Sequence, residues 1–453
     1  MMRAFAFPRG SLAVAALLAC AAACASAADP TVGACTRKDE FLSRFSKIDP
    51  LVAQLSAARP EAKCSLAQGI ASRHGTTDIE CLIRYRAPDM RLVFLSLLRA
   101  KKWCIQTRAL YGLKMTGDAS VVPEVAKALE DREPMVREMA ANALGGIGDA
   151  SALGHLKGRL DKEKDPFVLA SIEAAVRLLE GGEKPYSPWE ETLDGPEGAR
   201  RVAYVWVHKG ASSFNKYEAG AVELAAAESF CYPVSGYKTD LFAPYPRRSF
   251  GAGDTHAGED CAWFREGCSY YAIADGVVRM VQGAGGDWGF LVVLEHLLPS
   301  GDYVTSLYGH AGWDVLVKPG ELVKKGRKIA SQGLSCAVEN GGYGSHIHFG
   351  IGDGPFRRSK KHAKGESMTV AAGDKQVTGK ILRLTYSKEK KGASGWPLVA
   401  AVVQLPDRST VEAPLEEEPA QDQIAWMQAY IQKCEGWLNP ETFLPEHVEG
   451  KKK

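Results

Sequence analysis

The chain has 453 residues, 45% hydrophobic and 24% charged, which is enough length for two or three domains and a globular balance of residue types. Its formal net charge is only +2. That near-neutrality excludes a strong electrostatic partner, and no nucleic-acid binding is expected.

Residues 1–27 read as a secretory signal peptide. Arg3 and Arg9 stand ahead of any acid, Ser11 to Ala23 is almost wholly apolar and small, and Ala25-Ser26-Ala27 offers small residues at a cleavage point. This apolar stretch is too short to cross a bilayer, and no second run is long enough, so no membrane span is expected. Cleavage after Ala27 predicts export to the periplasm or the extracellular space. Leu17-Leu18-Ala19-Cys20 is also an imperfect lipobox, and the alternative is a lipid anchor on Cys20, as in an outer-membrane lipoprotein. Removing Cys20 and Cys24 from the eleven cysteines leaves nine (11 − 2). In an oxidising compartment some should pair, and the odd number leaves at least one thiol over.

Residues 35–182 are helical and repetitive. Gln106 to Asp118 and Arg137 to Asp149 align on a closing Gly-Asp, with Ala109 matching Ala140 and Leu113 matching Leu144. A weaker third copy begins at Pro166-Phe167-Val168 and ends at Gly181-Gly182. Each unit is a helix, a turn and a helix, in which Gly ends one helix and Asp can cap the next. The pattern resembles HEAT-like repeats, whose helix pairs stack into a solenoid because none can bury its apolar face alone. Two uses stay open, a packing scaffold and a concave surface for a protein partner. Residues 183–199, rich in Pro, Gly and acid, read as a linker.

Residues 200–446 change character to β-branched and aromatic runs between glycine-rich turns. Tyr271 to Val281, Phe290 to Glu295 and Tyr303 to Tyr308 are strand-like. A tail, 447–453, closes the chain on Lys451-Lys452-Lys453. The fold class is therefore multidomain α + β, an N-terminal α-helical HEAT-like solenoid followed by a mainly antiparallel β domain.

Four of the ten histidines lie in three short segments of that β domain: His256-Ala257-Gly258-Glu259-Asp260, Tyr308-Gly309-His310 and His346-Ile347-His348-Phe349. His-x-His on a strand puts both rings on one face, because side chains alternate. Two such imidazoles with a carboxylate and a further histidine suit a tetrahedral metal site that keeps one position open.

The set resembles the LytM/lysostaphin-type zinc endopeptidases of bacterial cell walls. Between the histidine segments stand Ala274-Asp275-Gly276-Val277-Val278 and the turn Lys318-Pro319-Gly320-Glu321-Leu322-Val323-Lys324-Lys325-Gly326, and Asn439-Pro440 follows late in the chain. All are in the family's order. The resemblance runs from about Phe230 to Leu444, interrupted by an insertion at about 355–434. Within the insertion, Lys375 to Leu384 and Trp396 to Leu405 read as a strand pair and Gln421 to Glu435 as a helix. Carried over residue by residue, the resemblance implies one Zn2+ per chain on His256, Asp260 and His348, with His310 and His346 as catalytic histidines. It implies a metalloendopeptidase acting on peptidoglycan stem or cross-bridge peptides. The alternatives are a non-enzymatic activator of cell-wall amidases and a secreted protease with protein substrates. Glu259 departs from the family, which has an apolar residue before the metal-binding Asp. Glu259 is expected to point away from the Asp260 face, with solvent or a local hydrogen bond as the two alternatives. Asp254 and Glu295 are read as structural or solvated, and His296 as structural. Cys261 and Cys268, flanking a strand connection in the same region, are the expected disulfide.

Overall fold

Apolar residues at helical spacing, some runs closed by a glycine, build the N-terminal half. The computed structural model describes residues 38–181, 193–202, 222–237, 258–262, 264–283, 289–312, 314–335, 343–356, 367–386, 398–417 and 437–448. It also describes short pieces at 189–190, 207–208 and 216–217 and single residues including His256 and Ala337. The expected signal peptide, the Cys20 anchor and the Gln421 to Glu435 helix lie outside the described residues. No helix among those described is long and apolar enough to cross a membrane.

The helices are α1 (Lys38–Ala57), α2 (Pro60–His74), α3 (Ile79–Leu82), α4 (Met90–Leu98), α5 (Trp103–Thr116), α6 (Val122–Lys127), α7 (Pro134–Ile147), α8 (Ala152–Leu160) and α9 (Pro166–Leu179). α5 packs on α7 and α7 on α9. These three repeat-opening helices start 31 and 32 residues apart (103, 134, 166). Ala109, Leu113, Ala140, Leu144, Ile172 and Ala175 bury their side chains along the seams. α5 and α7 end at Gly117 and Gly148, whose φ values of 63° and 79° are left-handed. Only a residue without Cβ takes that conformation cheaply. Asp118 accepts the Ser120 N–H and caps the 3-10 turn Ala119–Val121 ahead of α6, whereas Asp149 accepts the N–H of Ser151, which itself stands at the start of α8.

The stretch read as a linker is in part built into the helical unit. Strands β2 (Leu193–Asp194) and β3 (Arg201–Val202) pair as a short hairpin. Ala199 is buried in the helical core, and Arg201 lies 3.6 Å from Asp49. The turn-forming composition marks a tight hairpin here rather than a free tether.

The larger β sheet follows the order β11-β8-β9-β10-β13-β18, with β5 on β8 and β6 on β13, and every pairing is antiparallel. Its strands are β5 (Lys216–Tyr217), β6 (Glu259–Cys261), β8 (Gly276–Gly283), β9 (Phe290–Leu297), β10 (Tyr303–Ala311), β11 (Leu322–Val323), β13 (Ile347–Asp353) and β18 (Trp437–Leu438). A second ribbon, β7 (Ser269–Tyr271) with β12 (Lys328–Ser331), joins it through the bridge between Ala311 and Gln332. Tyr308 accepts the Ile273 N–H, and Asp275 accepts the Lys325 N–H, so the motif residues between the histidines hold the turns together.

The insertion is a separate antiparallel sheet, β14 (Ser367–Ala372), β15 (Lys375–Tyr386), β16 (Leu398–Gln404) and β17 (Thr410–Glu417), with its own small core around Ile381 and Val403. The expected strand pair is its centre. β18 and helix α10 (Pro440–Val448) then return to the main sheet.

The Cys261–Cys268 disulfide is not formed. Cys261 lies on β6 beside β13, whereas Cys268 precedes β7, which pairs with β12. Strands adjacent in sequence went to different ribbons, and the Cys268 thiol instead donates to Gln332. Among the described residues Cys64, Cys81, Cys104, Cys231 and Cys268 are free thiols.

Gly148→Ala should lower stability by about 1–2 kcal/mol, the cost of forcing a Cβ into the left-handed region. Gly154→Ala, exposed in the first turn of α8 with open space around it, should stabilise by up to ~1 kcal/mol. Thermal unfolding of the two variants should therefore shift in opposite directions.

Candidate active site

Three elements converge on one carboxylate. β13 runs between β6 and β10, and in this register His348 is opposite Asp260 on one side and Gly309 on the other. Asp260 Oδ1 lies 3.0 Å from His256 Nε2 and 3.0 Å from His348 Nδ1. His346 Nε2 is 3.5 Å from the same oxygen. The ligand atoms of His256, Asp260 and His348 all fall within 4.8 Å of one another, and all three residues are buried. Gly258 makes the cluster possible, because a Cβ there would stand 2.6 Å from His348 Nε2 and 2.5 Å from the Phe349 carbonyl.

Burial by itself raises the pKa of Asp260, but hydrogen bonds from His256, His346 and His348 hold it well below the usual carboxylate range. His348 is lowered, by burial first, against the opposing pull of Asp260. An ionised carboxylate and neutral imidazoles are the forms that bind a metal. Two nitrogens and one oxygen so grouped match the donor set of zinc, whose bonds to such atoms are about 2.0–2.2 Å.

The other two histidines stand beside this trio. The rings of His310 and His346 have centroids 4.3 Å apart, and His310 lies 6.4 Å from His348. His346 Nδ1 is 2.6 Å from the Gly344 carbonyl, which fixes its ring. His310 has φ 56° at the register shift between Tyr308 and Ala311. A non-glycine residue in that region carries strain of about 1–3 kcal/mol and persists only where its surroundings over-determine it.

Residues 254–362 match the family described as peptidase family M23, and residues 92–177 match HEAT repeats. The M23 match falls on the β domain and takes in all five histidine and aspartate positions of the site. Other similarities fall on the N-terminal helices. Epoxyqueuosine reductase of Bacillus subtilis (strain 168) is 38% identical over 76 residues, 17% of this chain and 20% of that protein. Deoxyhypusine hydroxylase of Rattus norvegicus is 39% identical over 90 residues, 19% of this chain and 28% of that one. A crystal structure of epoxyqueuosine reductase with a tRNA stem loop aligns over 17% of this chain and 20% of its own, at 38% identity and a TM-score of 0.17. The chain thus spans between a fifth and three-tenths of the length of these curated relatives.

In the same β domain His296 and Glu295 have partners of their own. His296 is buried between the Asp275 carbonyl (2.9 Å) and Ser306 Oγ (2.8 Å), and burial lowers its pKa to about 4. Glu295 pairs with Arg279 at 2.6 Å in full burial. Both are framework, as the sequence suggested. Asp254 lies outside the described residues. Two aromatic residues escaped the sequence reading. The Tyr270 hydroxyl sits 3.3 Å from the carbonyls of Gly309, His310 and His346, clamping the backbones of both histidine segments. Tyr343, 40% exposed, stands 5.7 Å from the His310 ring and 6.2 Å from that of His346, at the mouth of the site.

Glu259 points away from Asp260, as expected, but into the protein rather than to solvent. Tyr237 donates to its carboxylate. Burial, then neighbouring Glu441 and Asp260, pushes its pKa from 4.5 up to about 9. The neutral form is thus favoured in the fold, and its contribution to stability is complete below pH 4.5 and lost as pH rises toward 9. Glu259→Gln should flatten that decline, so in chelator-treated protein its thermal midpoint should gain on wild type between pH 5 and pH 9. Parallel curves for the two proteins would contradict a protonated Glu259.

Proposed function

We propose that the chain is an exported zinc metalloendopeptidase that hydrolyses peptide bonds in the stem or cross-bridge peptides of peptidoglycan. The observation that carries the reading is the convergence of His256, Asp260 and His348 on one point, with His310 and His346 beside it, in a domain of peptidase family M23. His256, Asp260 and His348 would hold the ion. When bound, zinc supplies Lewis acidity to the attacking water and to the scissile carbonyl.

The protein's own groups do the rest. His346, with Nδ1 engaged by Gly344, turns Nε2 toward the metal ligands, where it can take a proton from the attacking water. His310, beside it, is placed to hydrogen-bond the oxyanion that develops at the substrate carbonyl. Tyr270 holds both segments so that the pair keeps its spacing. The strain at His310 supports a working role, since a framework residue would gain nothing from it. The full ligand set speaks for catalysis over a purely regulatory role.

The test is zinc content and release of cross-linked muropeptides from sacculi by purified protein. Wild type should hold about one zinc and cut cross-links. His348→Ala should lose the metal and the activity together. His346→Ala should keep the metal while losing roughly 10²–10⁴-fold in rate, the usual worth of a general base. Metal without cleavage of sacculi would point to protein substrates. Absence of metal from wild type would overturn the enzyme reading in favour of a regulator.

A further inference from the structure

The proposed reaction leaves unexplained a set of buried contacts between the helices and the M23 domain. After β12 the chain passes Leu334 and Ala337 into the helical core, where each is 1% exposed. Arg84, fully buried just after α3, donates to the Ser335 carbonyl. Ser335 Oγ accepts the Ser345 N–H at 2.9 Å, and Ser345 Oγ donates to the Gly333 carbonyl at 2.7 Å. Ser345 is the residue before His346. Gly333 N–H in turn donates to the His310 carbonyl at 3.0 Å.

A second line runs in parallel. Lys114 on α5 lies 2.7 Å from Asp314 Oδ2. Asp314 also accepts Ser331 Oγ at 2.5 Å, and the Ser331 carbonyl accepts the Gly312 N–H at 2.5 Å, two residues beyond His310. Although burial opposes it, Lys114 and Lys328 keep Asp314 ionised well below the usual carboxylate range. The same face is sealed elsewhere by the bidentate Arg108–Glu266 pair, by Asn142 between Ser269 and Lys328, and by Ser171 against Tyr271. These residues sit on α5, α7 and α9, the helices that open the repeats. This face of α5, α7 and α9 thus packs on the chain's own β domain.

We propose that the HEAT repeats are part of the catalytic apparatus, with Arg84 and Lys114 as positioning residues that hold His346 and His310 in register. The inference rests on the peptidase reading. Both lines end within two residues of a catalytic histidine, and one histidine holds a backbone conformation that needs outside restraint. Misplacing a reacting group by an ångström can cost about 100-fold in rate, so loss of one anchor of several should cost about tenfold.

The experiment uses full-length Lys114→Met, Lys114→Arg and Arg84→Met beside wild type. Zinc content, kcat and KM on a cross-linked muropeptide are measured, with deuterium uptake by the peptide spanning residues 331–346. Lys114→Met and Arg84→Met should keep zinc and KM, lose about tenfold in kcat and exchange about tenfold faster in that peptide. Lys114→Arg should restore most of kcat. Should Arg84→Met fail to fold, the Lys114 pair decides. Wild-type kcat with wild-type exchange in folded Lys114→Met would overturn the proposal, leaving the repeats an appendage. A rise in kcat would also overturn it, because the helices would then restrain the site rather than position it. If wild type cleaves nothing, the peptidase reading falls, and deuterium uptake alone decides whether the helices hold the histidine loop.

Discussion

The ionised carboxylate of Asp260 is the constraint around which the M23 domain is arranged. At 4% exposure it has lost its water, and an isolated buried charge of this kind costs several kcal/mol. Three imidazoles converge on it instead. Each comes from a different stretch of backbone geometry: a loop before β6, the body of β13, and the approach to β13. Bringing them together requires β6 against β13 in one register, a glycine at 258, and Gly344 and Ser345 placing His346 just before the strand begins. A cation at that point would answer the same electrostatic demand that the imidazoles now meet.

The helical repeats and the β domain share this problem. Residues such as Glu138, Asn142, Ser171 and Lys328 are polar and buried, so each must find a partner. They find one another across the junction. Glu138 accepts from Ser235 and from the Ser269 N–H, and Asn142 bridges Ser269 and Lys328. A junction of this kind is specific in geometry, because each misaligned pair leaves a buried polar group unsatisfied. The insertion behaves differently. Its described strands carry their own core, and the chain leaves and rejoins the domain at β13.

Local chemistry was legible in the sequence wherever a residue type had one physical use. The Gly-Asp repeats placed the ends of α5 and α7 because left-handed glycines and Asp caps act within a few residues. His-x-His gave a shared face because strand geometry alternates, and both rings do approach Asp260. Long-range partnership was not legible. Glu138 and Asn142 read as ordinary helix residues, since nothing local says that a serine more than a hundred positions away will meet them. The disulfide expectation failed for the same reason: neighbours in sequence were taken for neighbours in a sheet. Glu259 could be placed only on the face away from Asp260, and the sequence did not say that Tyr237 and the returning α10 would close over it. Tyr270 had no motif at all, because its work depends on three carbonyls that only the fold assembles.

The central claim, that Asp260 gathers a zinc site with two imidazoles, is tested most directly by zinc X-ray absorption on the loaded protein. The account predicts a first shell of nitrogen and oxygen at about 2.0–2.1 Å, with outer-shell scattering from two imidazole rings and no sulfur. It also predicts that Asp260→Ala abolishes that spectrum. Sulfur scattering at about 2.3 Å, or an unchanged spectrum in Asp260→Ala, would place the metal elsewhere and contradict the account.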